Sequence, residues 1–266
     1  MKLIMLGTGN AMVTKCYNTC FALENEDAYF LVDAGGGNGI FHQMEGAKIP
    51  FEKIHHMFVT HGHTDHILGV FWVMRKIATL MAAGSYEGEM VIYGHDEVMY
   101  ILKEFSALTF PGKIKKYIGT QIRLQEVKEG ETVRAAGMQV QFFDIGSTKL
   151  KQFGFTALLP DGQKLACLGD EPYKERNQSY VQGADWLLCE AFCLYEDRER
   201  FKPYEKHHST ALDAGRLAET LGVKNLVLYH TEDKTLATRK ERYTFEAARE
   251  FHGTVYVPED LESIEL

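Results

Sequence analysis

The sequence predicts an α/β fold in which two sheets pack face to face with helices outside them. Three observations carry this expectation. Short apolar runs, each bounded by turn residues, recur along the whole chain. Longer stretches with helical spacing of apolar residues interrupt them. The early runs follow one another as hairpins would, whereas the later ones alternate with helices.

The elements follow in order. Leu3–Leu6 is a first strand: a single lysine and a short apolar run stopped by Gly7-Thr8-Gly9 do not make a signal peptide. Phe21–Leu23, Ala28–Asp33 and Ile54–Thr60 are further strands, and Ile67–Met81 is an apolar helix. Met90–Tyr93 and the helix Glu97–Leu108 repeat that order. Met138–Phe143 is a strand. Phe153–Leu159 and Lys164–Leu168 flank Pro160-Asp161-Gly162, a turn that joins them as a hairpin. Trp186–Cys189 and Leu226–Tyr229 bracket the helix Thr210–Leu221, which Ser209 or Thr210 can cap and Gly222 can end. The helix 237–251 and the strand Thr254–Val257 close the pattern. With no repeat, low-complexity tract or Pro/Ser-rich linker, a single domain over residues 1–266 is expected.

A hydrophobic share of 45% with 25% charged residues suits a folded, water-soluble chain. No run is long and apolar enough for a membrane helix, so no membrane partner and a cytoplasmic location are expected. The cysteines Cys16, Cys20, Cys167, Cys189 and Cys193 are odd in number and lack a C-x-x-C pair, which fits reduced thiols. The net charge of −8 weighs against a large nucleic acid as partner. The best basic cluster, Lys113-Ile114-Lys115-Lys116-Tyr117, reads as a solvated loop. Gly7-Thr8-Gly9 meets Met12 where a dinucleotide fingerprint needs its third glycine. Gly35–Gly39 lacks the Gly-Lys-Ser/Thr ending of a phosphate loop. Both read as tight turns, with no nucleotide cofactor.

The chemistry concentrates at His61-Gly62-His63-Thr64-Asp65-His66, between a strand and a helix. Histidines two apart on an extended segment project to one side. The Asp and His that follow, where the helix begins, can reach a second nearby point. That geometry suits two metal ions. Other titratable residues stand at strand or helix ends: Asp33, Asp170, Glu190, His208 and His230. Several such residues in register suggest convergence on one site, and hydrolysis at a metal needs these side-chain types.

On these residues the chain resembles the metallo-β-lactamase superfamily, and more narrowly its ribonuclease Z branch, over nearly its whole length. Leu6-Gly7-Thr8-Gly9 resembles the opening strand and turn, Asp33-Ala34-Gly35 the second motif, and His61–His66 the signature. Leu168-Gly169-Asp170 resembles the strand with the bridging aspartate. Glu190-Ala191 is similar to the Glu-Ala of the His-Glu-Ala-Thr motif, His208-Ser209-Thr210 to the His-Ser-Thr motif, and Tyr229-His230 to the last ligand. The resemblance implies a four-layer αββα sandwich. It implies His61 and His63 on a first metal, Asp65, His66 and His230 on a second, and Asp170 bridging them. It implies Asp33 orienting ligands, and Glu190 with His208 assisting proton transfer, although the sequence alone does not separate His208 from adjacent His207. The metal it implies is zinc, one or two ions, with manganese or iron also able to serve. A homodimer is compatible with it.

The sequence departs from the pattern in two places. A third His normally follows the strand matched by Met138–Phe143, and here Gly146 stands in its place. The first site then keeps two imidazoles and a shared carboxylate, completed by Ser147 or a water, or else binds weakly or stays empty, and restoring an imidazole by Gly146→His should raise metal uptake. The long basic arm of transfer-RNA-processing members is missing, since only 23 residues separate Gly146 from Asp170. That weighs against transfer-RNA processing. The leading expectation is hydrolysis of a phosphodiester or related ester by a metal-bound hydroxide, on a small molecule or short nucleotide, with Asp65, Glu190 and His208 as catalytic residues. A lactonase or thioesterase and a non-catalytic metal-binding protein are the alternatives. The cleft wall is expected from loops around Phe110-Pro111-Gly112, Gly146–Gln152 and Leu194–Tyr204.

Overall fold

In the computed structural model, which describes residues 1–266, the strands form two seven-stranded sheets. The first holds β1 (Lys2–Gly7), β2 (Cys20–Asn25), β3 (Ala28–Val32), β4 (Ile54–Phe58), β5 (Met90–Gly94) and β6 (Ile122–Glu126), with β14 (Ser263–Glu265) beside β1. The second holds β7 (Thr132–Ala135), β8 (Met138–Asp144), β9 (Phe153–Leu158), β10 (Lys164–Cys167), β11 (Trp186–Glu190), β12 (Asn225–Tyr229) and β13 (Thr254–Tyr256) in continuous order. Each sheet has the same internal plan. β1 to β3 are antiparallel and β3 to β6 parallel. β7 to β10 are antiparallel and β10 to β13 parallel.

Period-two alternation sets the layers. On β3, Phe30 and Val32 face the second sheet, while Tyr29 and Leu31 face helices. The inner layer joins Phe30 and Phe58 of the first sheet to Phe142 and Phe155 of the second, with ring centroids 4.9–5.8 Å apart. Outside the first sheet lie α1 (Ile40–Gly46), α2 (Thr64–Ala82), α3 (Asp96–Thr109) and the single turn α4 (Gly112–Lys115). On the second half of the chain come the short turns α5 (Gln178–Val181) and α6 (Arg198–Phe201), then α7 (Ala211–Leu221) and α8 (Leu236–Ala247), which cover the second sheet. The result is the expected αββα sandwich.

The differences from the expected elements have local causes. β6, β7 and β14 were not expected: they are short, partly exposed strands, and β6, β7 and β14 end their sheets. α1 has only seven residues, the last of them Gly46, too few to display a helical period. α2 begins at Thr64, three residues before Ile67, so Asp65 and His66 lie in its first turn. Thr210 is the cap of α7, and its hydroxyl and Asp213 form a reciprocal capping box. The lysines of 113–116 flank one helical turn that buries Ile114. All the cysteines are free. No helix is long and apolar enough to cross a membrane.

Candidate metal centre

The carboxyl ends of the parallel strands of both sheets converge at one edge of the sandwich. Asp33 follows β3, and His61 to His66 run from the end of β4 into α2. Asp170 follows β10, Glu190 ends β11, and His230 follows β12. Crevices at such strand ends are where open α/β sheets place ligands. Two backbone positions there are left-handed, Asp33 (φ 55°) and His230 (φ 59°). Non-glycine residues hold that conformation only where the surroundings impose it.

Donor atoms of His61, His63 and Asp170 lie within 4.8 Å of one another, as do those of Asp65, His66 and His230. Asp170 Oδ2 sits between the groups, 3.7 Å from His61 Nε2, 3.6 Å from His66 Nε2 and 3.5 Å from His230 Nε2. Asp65 Oδ2 is 3.4 Å from His66 Nε2. His61 Nε2 and His63 Nδ1 are 2.8 Å apart. Most of these spacings are too long for hydrogen bonds. They match ligands around one cation, because two ligands each ~2.1 Å from a tetrahedral ion stand ~3.4 Å apart. His66 Nε2 is buried without a hydrogen-bond partner, which a cation would supply. The residues therefore fit one or two divalent ions held by imidazole and carboxylate. All the residues expected as ligands from the sequence are brought together.

A further set of groups fixes the far side of these rings. Asp33 Oδ2 accepts from His66 Nδ1 at 2.8 Å and from the Thr60 hydroxyl at 2.7 Å, while Asp33 Oδ1 accepts from the Thr60 amide at 2.8 Å. The Thr60 hydroxyl also lies 2.9 Å from His61 Nδ1, and the Thr19 hydroxyl 3.0 Å from His230 Nδ1. Buried Gln152 donates from Nε2 to Asp170 Oδ1, leaving Oδ2 to face the imidazoles. Such contacts set ring orientation and ligand basicity. Asp33 was legible as a strand-end carboxylate. Thr19, Thr60 and Gln152 carry no sequence signal of their own, since only folding places them behind the ligands.

Burial and charge oppose one another across the cluster. Burial pushes Asp170 up, but His61, His230 and His66 around it hold the carboxylate well below its ordinary range. Burial pushes His230 down to about 4. Burial pushes His66 down as well, and Asp33 and Asp65 more than offset it, holding the ring well above its ordinary range.

The first departure is corrected by the structure. Gly146 has φ 73°, and a Cβ there would point at the side chains of Lys174 and Arg176. Gly146 is not among the residues lining the cleft. Ser147 is not free to serve either, because its hydroxyl oxygen accepts from the Lys149 amide at 3.2 Å and the Leu150 amide at 3.3 Å while its hydrogen goes to Glu171 at 2.6 Å. A histidine at 146 would start toward Lys174 and Arg176 from a left-handed backbone, so Gly146→His should not raise metal uptake.

His208 and His207 separate clearly. His207 is exposed with φ 59°. His208 is buried and lines the cleft, stacked on Phe192 (4.8 Å, 10°) with His230 5.3 Å away. Burial pushes its ring down to about 3. Its Nδ1 faces Glu190 Oε2 at 3.7 Å, and both atoms are buried without hydrogen-bond partners. Burial pushes the Glu190 carboxyl well up, although Oε1 accepts from the Ser209 amide at 2.6 Å and hydroxyl at 2.7 Å.

The cleft over these groups encloses about 640 Å³, a size suited to a small ligand. Lys149 and Phe201 line it as the expected loops require, but the loop at Phe110 lies by another depression beside α2 and α3. The Asn10–Met12 turn and the segment after His230 form wall that was not anticipated.

Residues 1–250 match the family described as Anti-Pycsar protein Apyc1. Ribonuclease Z of Bacillus subtilis (strain 168) is 26% identical, covering 91% of this chain and 93% of its own. Among solved structures, the metallo-β-lactamase fold protein YhfI from Bacillus subtilis superposes with a TM-score of 0.77 at 20% identity, covering 99% of both chains. The short form of human tRNase Z superposes with a TM-score of 0.76 at 21% identity, covering 100% of this chain and 99% of its own. The fold is thus the metallo-β-lactamase fold, and the chain resembles ribonuclease Z.

Proposed function

The chain belongs to the Anti-Pycsar protein Apyc1 family, and from that premise we propose that it is a metal-dependent phosphodiesterase acting on a small or short nucleotide ester. The observation that carries this reading is the paired donor set around Asp170 with His208 facing the same cleft. The anti-Pycsar role in the family's description is carried to this chain as part of the same proposal.

His61, His63 and Asp170 would hold one cation, Asp65, His66 and His230 a second, with Asp170 shared; zinc suits the imidazole-rich set. The cations, when bound, supply Lewis acidity and make water acidic enough to attack at neutral pH. Asp65 lines the cleft and orients the attacking water by accepting its hydrogen bond. Neutral His208 donates a hydrogen bond to the leaving oxygen as charge builds there. As that oxygen leaves, the Nε2 proton of His208 passes to it and the protonated Glu190 carboxyl gives its proton to Nδ1, which leaves His208 neutral and Glu190 a carboxylate. Phe192 fixes the plane of the His208 ring.

The metal-loaded protein should hydrolyse bis(p-nitrophenyl) phosphate. On a dinucleotide phosphodiester, whose alkoxide leaving group needs a proton, His208→Ala should lower kcat about 100-fold or more with metal content unchanged, and His207→Ala should have little effect. Equal turnover by the His208 variant removes the proton-transfer role. A 3′-extended transfer RNA serves as the second substrate: preferential cleavage of it would move the reading to transfer-RNA processing.

A further inference from the structure

Of the three carboxylates that line the cleft, Asp65 and Asp170 belong to the metal-donor groups and Glu232 accepts from Thr235; against them stand three lysines, Lys149, Lys206 and Lys234. They arrive from separate segments, on the loop from β8 to β9, ahead of α7, and after β12. The facing wall, Asn10, Ala11, Met12, Gly62 and Thr64, has no charged side chain.

The lysines differ in what they have left to give. Lys234 is paired with Asp233 at 2.9 Å. Lys206 Nζ lies over the Phe192 ring, 5.0 Å from its centre, on the residue that stacks on His208. Lys149 Nζ donates to the Lys206 carbonyl at 3.0 Å, and its nearest carboxylate oxygen, Glu171 Oε1, is 3.8 Å away. That oxygen already accepts from Ser147. An ammonium has three donors, so Lys149 is held in place by one contact with donors still open toward the cleft. Its charge reaches the site, since it is among the groups acting on His208, His230 and Glu190.

We infer that Lys149, supported by Lys206, forms an anion-recognising subsite that selects esters carrying negative charge over neutral ones. The inference rests on the hydrolase reading above for its place in a reaction, and on the geometry for its existence. It assigns substrate class: a phosphate oxygen beside the scissile bond, or a second anionic group, takes the open donors of Lys149. Neutral lactones and thioesters would leave this ammonium without a counter-charge.

The test separates the subsite from the reaction. Metal-loaded wild-type protein and variants are titrated calorimetrically with inorganic phosphate. Lys149→Ala should weaken binding at least about tenfold, the scale of one charge-assisted hydrogen bond, and Lys149→Arg should recover most of it. Added salt should weaken wild-type binding more steeply than binding by the alanine variant. Equal affinity in wild type and Lys149→Ala overturns the inference, as does an arginine variant as weak as the alanine one. In turnover, Lys149→Ala should lower the ratio of kcat/KM for monoanionic bis(p-nitrophenyl) phosphate to that for neutral p-nitrophenyl butyrate. A ratio unchanged by the substitution overturns the charge selection. Turnover of neither ester, with phosphate binding still dependent on Lys149, ends the hydrolase reading and leaves the subsite standing.

Discussion

At the scale of single residues, the ligand positions depend on side chains that never face the cleft. Gln152 is the sharpest case, because its amide occupies one oxygen of Asp170 and leaves the other to the imidazoles. Gln152→Ala should lower metal affinity about tenfold or more, measured by chelator competition, since loss of such outer contacts typically has that effect. Glu190 gives a pH prediction. Its folded-state carboxyl is held well above the ordinary range by burial, so the folded protein binds this proton more tightly than the unfolded chain. Its contribution to stability is therefore full below the ordinary Glu range and is lost as pH rises through the folded value. Glu190→Gln keeps the neutral shape and can still accept from Ser209. Its melting temperature should exceed that of wild type by about 2 °C or more near pH 8 and converge with it near pH 4. A difference independent of pH would contradict the assignment of a buried, protonated carboxyl.

At the scale of elements, α2 matters most, because its first turn carries Asp65 and His66. The helix can press on the loop after β3 only because residue 69 is glycine. A Cβ there would stand 1.8 Å from the Ala34 carbonyl oxygen. This contact, with Gly69 N donating to Gly35 O at 2.8 Å and Ala34 N to His66 O at 3.1 Å, brings Asp33 within reach of His66. Gly69→Ala gains helix propensity but must push α2 outward. The expected outcome is a lower melting temperature together with weaker metal binding, read by calorimetry and metal titration on the same preparation. The sequence places Ile67–Met81 as an apolar helix, yet its true start at Thr64 is set by the ligand-bearing turn and not by apolar spacing.

At the scale of the whole molecule, the two sheets share one plan, an antiparallel part followed by a parallel part, and the parallel ends of both meet at the site. Asp33 and His61–His66 come from one sheet, and Asp170, Glu190 and His230 from the other. A cation held between them would tie the halves together and stabilise the folded state that assembles its ligands. Stripping metal with a chelator should therefore lower the melting temperature, and restoring zinc should raise it. Binding at 1,000 times Kd adds about 4 kcal/mol. A melting temperature indifferent to chelation would argue that the halves hold without the ion. The same convergence brings Lys149, Lys206 and Lys234 to the cleft, since they come together only when the loops of the second half fold over it.

The sequence by itself determined the layered α/β class, the hairpin at Pro160–Gly162, the helix ending at Gly222 and the chemistry of His61–His66. These are written in local spacing: period two for strands, helical period for α2, α3 and α7, and ligand types clustered at one junction. Tertiary structure alone decided that His208 rather than His207 enters the cleft, that Gly146 points away from it, that Gln152 reaches Asp170, and that three lysines share its mouth. Those facts depend on the direction of single side chains and on contacts between residues far apart in the chain, which local periodicity does not encode.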